Sequence, residues 1–214
     1  DQFASVFGKA GSLMRLDCRS LEFKYFPFDP KGYKLVLLNS QVKHELASSA
    51  YNDRRKSCEN VVAAMKKHWP NVDSLRDATY DMLDEVRPEV SEEDALRAKY
   101  VIGEKYRVLE VCVALEEVDY EEVGKKMYET HYGLSKEYEV SCPELDFLND
   151  VAHSCGVTGS RIMGGGFGGC TINLVSDDLY ANFIETAKKA YKEKFGKEPI
   201  VIDVVIGDGS RKLC

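Results

Sequence analysis

No run of about 18 apolar residues occurs anywhere in the 214-residue sequence, which excludes a helical membrane span. Residues Asp1 to Phe7 carry neither the basic start nor the apolar core of a secretory signal. There is no initiator Met: the sequence starts at Asp1 and passes at once into Phe3-Ala4-Ser5-Val6-Phe7, as it would if entered partway through an element. No CxxC pair occurs among the seven cysteines (Cys18, Cys58, Cys112, Cys142, Cys155, Cys170 and Cys214). The four histidines, His44, His68, His131 and His153, lack ligand spacing with them, so no zinc site is expected. The thiols sit amid apolar residues, where a free cysteine behaves as a small hydrophobe, and a reduced, cytoplasmic location is expected. Basic residues are outnumbered, 29 against 36 acidic for a net charge of -7, which argues against nucleic acid or a membrane surface as the main partner. Internal repeats and low-complexity segments are also missing, and no protein partner is evident.

What is present is globular. With 44% hydrophobic, 10% aromatic and 30% charged residues, the chain is rich enough in apolar side chains to close a core. Its length fits one large domain, or one domain and part of another. From Ser12 to Phe28 two short β-like runs flank Arg19 to Leu21 and read as a hairpin, and a turn follows at Pro30 to Gly32. The apolar run Leu35 to Leu38 predicts a central strand buried on both sides.

A helix is expected where Cys58, Val61, Val62, Met65 and Trp69 recur at helical spacing, ended by Pro70. Asn71 to Glu93 is acidic and loosely patterned. Glu92 to Glu117 is the clearest helix, with Ala98, Ile102, Leu109 and Val113 in one stripe flanked by Val101, Val108, Cys112 and Leu115, which predicts burial against more than one neighbour. Tyr120 to Glu137 reads as another helix. Ser141-Cys142-Pro143-Glu144 reads as a capping box before Leu145, Leu148 and Ala152, and Gly156 as the C-terminal stop.

Downstream come a strand (GVTGSRIM), a glycine-rich connection, a second strand (CTINLVS), a helix capped by Ser176 or Asp177 and ended by Gly196, and a last strand (PIVIDVVI). The order β, several helices, β, β, α, β is the split βαβ pattern with an expanded helical layer. The fold class expected is α+β: a ferredoxin-like antiparallel four-stranded sheet, covered by helices on one face.

Two strings stand out chemically. Met163 to Cys170 (MGGGFGGC) places five glycines in six positions, a cost in chain entropy that points to positive φ or to close approach of another group. It is no Walker A loop, because the Gly-Lys-Ser/Thr ending is missing and a strand follows it. By itself it reads either as a loose hairpin or as bare backbone N–H groups facing a phosphate or sugar. Val42 to Arg55 (VKHELASSAYNDRR) gathers polar groups between a buried strand and a helix. Tyr51 offers a hydroxyl and a ring face suited to a sugar. Read plainly, Ser48 or Ser49 caps the helix, Tyr51 packs in its first turn, and Arg54 and Arg55 are solvated. His131 and His153 read as surface or core histidines, and Arg161, Arg211 and Lys212 as cations facing water.

Taken in order, DQFASVFGKAGSLMRLDCRSLE, NSQVKHELASSAYNDRRKSCE, VSCPELD and GSRIMGGGFGGC resemble the successive signatures of galactokinases, within the GHMP superfamily of small-molecule kinases. The resemblance runs nearly the full length. It implies transfer of the γ-phosphoryl group of Mg-ATP to the anomeric hydroxyl of galactose. Asp1 matches the aspartate taken to accept the proton of the attacking hydroxyl. Tyr51 matches the sugar-contacting tyrosine, and Gly164, Gly165 and Gly166 match the motif thought to support the nucleotide loop and line the cleft. ATP and Mg2+ are the implied cofactors, with no metal ligand expected in this chain.

The family's galactose-gripping motif, Arg-x-Asn-x-Ile-Gly-Glu-His-Thr-Asp, and its phosphate loop, Pro-x-Gly-x-Gly-Leu-Ser-Ser-Ser, are not in this sequence and belong upstream of Asp1. The resemblance is therefore to the C-terminal portion of a galactokinase. It implies that residues 1–32 are a remnant of the N-terminal domain, hairpin included, and that residues 33–214 are the C-terminal domain. Alternatives that keep this fold are a galactose- and ATP-binding sensor without catalysis and an N-acetylgalactosamine kinase; a free-standing ferredoxin-like interaction module is a third.

Overall fold

The computed structural model describes residues 2–43 and 47–211, with backbone alone at 47–49. A short helix α1 (Gln2–Phe7) leads into strands β1 (Ser12–Leu16) and β2 (Phe23–Pro27), which pair antiparallel as the expected hairpin. Strand β3 (Tyr33–Asn39) precedes the helices α2 (Ala47–His68), α3 (Tyr80–Val86), α4 (Glu92–Glu116), α5 (Tyr120–Tyr132) and α6 (Pro143–Ser154). Then come β4 (Gly159–Ile162), β5 (Cys170–Ser176), α7 (Asp177–Phe195) and β6 (Ile200–Val204). The four later strands form one sheet in the order β4-β5-β3-β6, antiparallel throughout. This is the split βαβ arrangement, with five helices in the first crossover.

Strand periodicity divides the sheet's side chains between two faces. Val36, Leu38 and Val175 point to one face, where Leu148 and Ala152 of α6 and Phe183, Ala187 and Tyr191 of α7 bury them. That is the expected helical cover. The opposite face is covered as well: Leu35 and Leu174 pack with Cys112 and Leu115 of α4, Val123 of α5, and Phe26 and Phe28 at the end of the hairpin. A separate cluster joins α2, α3 and α4 through Val61, Met65, Leu83, Val86, Ala98 and Ile102.

Several local expectations change in three dimensions. The stripe on α4 is buried only in part: Ala98 and Ile102 are fully covered, but Leu109 and Val113 are about half exposed at 48% and 52%. The acidic stretch before it is ordered by reciprocal ion pairs, Arg19 with Asp77 at 2.8 Å and Arg76 with Asp17, which fasten the hairpin turn to residues 74–77. Helix α5 ends at Tyr132 and continues as one π-helical turn, Gly133–Glu137. The capping box does not form: the N-cap of α6 is Cys142, without a side-chain bond, and the Ser141 hydroxyl donates to Asp146 instead. Cys18 is exposed rather than apolar-packed. Gly156 and Gly196 do end their helices at positive φ. Among the described residues no helix is long and apolar enough to cross a membrane.

Candidate functional site

Strands β3 and β5 run antiparallel, so the C-terminal end of β3 and the β4–β5 turn lie at the same edge of the sheet. This geometry brings the two unusual strings together. Helix α2 begins at Ala47, so Ser48 and Ser49 lie inside it and not at its cap, and Tyr51 is its fifth residue. Tyr51 is 38% exposed, and partial burial raises its phenol above the ordinary value. Its ring meets Phe167 of the glycine turn edge-on, with centroids 5.4 Å apart and planes at 87°. Its hydroxyl lies against Gly165, where a Cβ would fall 1.9 Å from the phenolic oxygen.

The glycine turn is closely held rather than loose. Gly164 (φ +80°) and Gly166 (φ +86°) take backbone conformations that other residues adopt at a cost. A Cβ on Gly166 would also meet the Val140 carbonyl oxygen at 2.1 Å, and one on Gly168 the Val42 carbonyl oxygen at 2.8 Å. The turn is threaded between two straps. On one side the Phe167 N–H donates to the Val140 carbonyl; on the other, Gly169 N–H donates to the Val42 carbonyl at 3.3 Å. The N–H and hydroxyl of Ser40 both donate to the Gly169 carbonyl at 2.8 Å, and Tyr191 of α7 donates to the Ser40 carbonyl at 2.7 Å. Phe167 itself is held at φ +59°, a conformation costing a non-glycine residue about 1–2 kcal/mol. Around Gly164 a Cβ would meet nothing within 4 Å, so that backbone faces open space.

Arg54 joins these parts, and sequence reasoning missed it. Its Nε donates to the Tyr138 carbonyl at 3.0 Å, another guanidinium nitrogen donates to the Glu139 carbonyl, and the guanidinium lies 5.5 Å from the Phe167 ring centroid. One side chain on α2, a turn away from Tyr51, thereby grips both the 138–140 strap and the glycine turn. The strap has a second anchor: buried Arg97 donates to the Glu139 carboxylate at 3.0 Å and to the Ser57 hydroxyl at 2.9 Å. The Arg-Arg pair in the sequence was the available signal, but the expected solvation holds only for Arg55, which pairs with Glu59 on the helix surface at 2.7 Å.

Beside the strap, Asp146 accepts from the Ser135 hydroxyl at 2.8 Å, from Ser141, and faces His131 Nε2 at 3.2 Å. Burial by itself would raise the Asp146 carboxyl, but the bonds from His131, Ser141 and Ser135 outweigh it and bring the group down to about 2. His131 is a buried core histidine, and His153 stacks edge-on with Tyr128 at 5.2 Å. Arg161 projects from β4 into a cleft beneath the hairpin. Asp1 and Lys212 lie outside the described residues. No group of three or more His, Cys, Asp or Glu is arranged to hold a metal ion among the described residues.

Residues 113–193 match a family model described as GHMP kinases C terminal. The whole chain is 41% identical to a galactokinase of Clostridium beijerinckii, covering 55% of that protein, and 40% identical to the Homo sapiens galactokinase, covering 53%. In three dimensions it matches the crystal structure of Lactococcus lactis galactokinase complexed with galactose, with a TM-score of 0.92 at 30% identity. That match covers all of this chain and 55% of the other. The chain thus spans about half the length of the curated relatives it matches. Its residues 113–193 are similar to the C-terminal region of GHMP kinases, within a sequence similar from end to end to galactokinases.

Proposed function

We propose that the chain forms the C-terminal part of an ATP-dependent galactokinase, which converts galactose and ATP to galactose 1-phosphate and ADP in the cytoplasm. The observation that carries this reading is the close superposition, over the whole chain, on a galactokinase complexed with galactose. The meeting of Tyr51 with the glycine turn adds to it, because it gathers the family's two C-terminal signatures into one site.

In this reading Tyr51 contacts the sugar with its hydroxyl and the exposed part of its ring. Asp1 orients the anomeric hydroxyl and takes its proton as that oxygen attacks the γ-phosphorus, and the bond from phosphorus to the ADP oxygen breaks. Gly164, Gly165 and Gly166 let backbone line the cleft where side chains would intrude. The open space where a Gly164 side chain would stand leaves room for a phosphate, whereas the described residues offer no ligand set for Mg2+. Bound Mg2+ neutralises phosphate charge in such reactions; its ligands, like the phosphate loop, are assigned to residues upstream of Asp1. Residues 1–32, with the hairpin, belong in this reading to the N-terminal domain and residues 33–214 to the C-terminal domain.

The test is galactose-dependent ADP release, measured on the 214-residue chain and on a chain carrying the upstream half. The first is expected to be inactive and the second active, with Asp1→Ala abolishing turnover while galactose binding persists. Turnover by the 214-residue chain alone, or near-normal turnover of the Asp1→Ala protein, refutes the assignment. Galactose binding without any ADP release by the extended chain identifies a sensor, and preference for N-acetylgalactosamine a different sugar kinase.

A further inference from the structure

Away from the Tyr51 site, a cleft of about 370 Å³ opens between the β1–β2 hairpin, α4, α5 and the second face of the sheet. Its volume lies at the lower end of the range for small-molecule sites, about 300–1,000 Å³. Its described walls are mostly apolar: Phe26 of the hairpin, Leu115 of α4, Met127 of α5, and Ile172 and Leu174 of β5 are among them. The charged groups on the same lining are Arg15, Arg107, Arg161, Lys126 and Glu104.

These charges are answered unequally within the chain. Lys126 is already surrounded by carboxylates, with Glu110 at 2.8 Å, Glu129 at 3.2 Å and Glu122 at 3.4 Å. Glu104 is engaged by Arg107 Nε and by the Thr130 hydroxyl at 2.8 Å. Arg107 still keeps a buried Nη2 without a hydrogen-bond partner among the described residues. Among the described residues Arg161 donates only to the carbonyl of its neighbour Ile162, at 3.2 Å, and Arg15 lies over the Phe26 ring at 5.9 Å. Arg107 and Arg161 line the same cleft, Arg107 with its guanidinium 5.6 Å from the Tyr100 ring centroid. Guanidinium groups keep their charge at any physiological pH and favour carboxylates, which they bind through paired N–H donors. Apolar walls beside Arg161, which meets no carboxylate among the described residues, and Arg107, only partly answered by Glu104, are complementary to a ligand with the same two parts.

We infer that this cleft binds a small anionic amphiphile, a medium-length acyl chain ending in one carboxylate, with the chain against Leu115, Met127 and Leu174 and the carboxylate at Arg161 and Arg107. The inference does not depend on the kinase reading, since none of these residues belongs to the Tyr51 site. Octanoate is the probe, with octanol and acetate as its uncharged and tailless counterparts, titrated by calorimetry against the 214-residue chain and the upstream-extended chain. Octanoate is expected to bind both chains at least tenfold more tightly than either counterpart, and to slow hydrogen exchange at Ile172 and Leu174. Arg161→Gln should weaken octanoate about tenfold and leave octanol unchanged; Arg15→Gln, on the hairpin surface, tests the charge at a site less tied to folding and should weaken octanoate by a smaller factor. Equal binding of octanoate and octanol, unchanged affinity in both variants, or loss of binding in the extended chain overturns the proposal.

Discussion

Replacing Arg54 by Ala removes a side chain that ties α2, the 138–140 strap and the glycine turn together. Its hydrogen bonds to the Tyr138 and Glu139 carbonyls are charge-assisted and half exposed, contributing about 1–1.5 kcal/mol each. The contact with the Phe167 ring adds about 0.5 kcal/mol. Together the loss is about 2.5–3.5 kcal/mol, concentrated on the turn because the sheet below has its own ladders. At 1.4 kcal/mol per tenfold, opening of the turn should become about 60–300 times more frequent. Native-state hydrogen exchange reads this directly. The Phe167 amide, bonded to the Val140 carbonyl, and the Val140 amide, bonded to the Leu134 carbonyl at 2.9 Å, should exchange faster by that factor. Amides of the β3–β5 ladder should be slowed or quickened by no more than a fewfold. Arg54→Lys keeps the charge but loses the fork and should fall between. Exchange at Phe167 within threefold of the parent chain would refute the clamp, and equal acceleration in β3 would show a global loss of stability instead.

The glycines differ in what a methyl group would strike. Gly165→Ala meets the movable end of Tyr51, so it should displace the tyrosine at a stability cost of about 1 kcal/mol, whereas Gly166→Ala meets the fixed Val140 carbonyl at positive φ and should cost about 2–4 kcal/mol. Thermal unfolding separates them at about 2–4 °C per kcal/mol for a chain of this size, and Tyr51→Ala should relieve the first loss but not the second. Asp146, held down to about 2, titrates below its unfolded value; its contribution is complete above about pH 5 and is lost as pH falls through 4 towards 2. Denaturant midpoints measured from pH 6 to pH 2.5 should drop less steeply in Asp146→Asn, by about 1–2 kcal/mol after allowance for solvent screening. Parallel pH profiles for the two proteins would remove Asp146 from the acid sensitivity.

Much of the fold was legible because period and punctuation are local. The 7-residue strand β5 spans the CTINLVS run predicted for it, and Gly156 and Gly196 stop their helices as read, since positive φ is a property of the glycine itself. The α4 stripe was misjudged for the opposite reason. Helical spacing shows which residues share a face but not how far the neighbouring elements extend along it, so Leu109 and Val113 are left half exposed. The Ser141 cap was lost to a competitor from the next turn, the Asp146 carboxylate, that a motif reading does not weigh.

The sequence by itself determined the split βαβ order, the glycine turn and the resemblance to galactokinases, because each rests on residue identity and spacing along the chain. Only the tertiary structure decided that the glycine string is a tightly held turn, that Gly165 makes room for the Tyr51 hydroxyl, and that Arg54 is a clamp and not a solvated cation. Those facts depend on the antiparallel pairing of β3 with β5, which brings the β4–β5 turn and the approach to α2 to one sheet edge across more than a hundred residues of intervening chain. A contact between segments so far apart leaves no periodic trace in either of them.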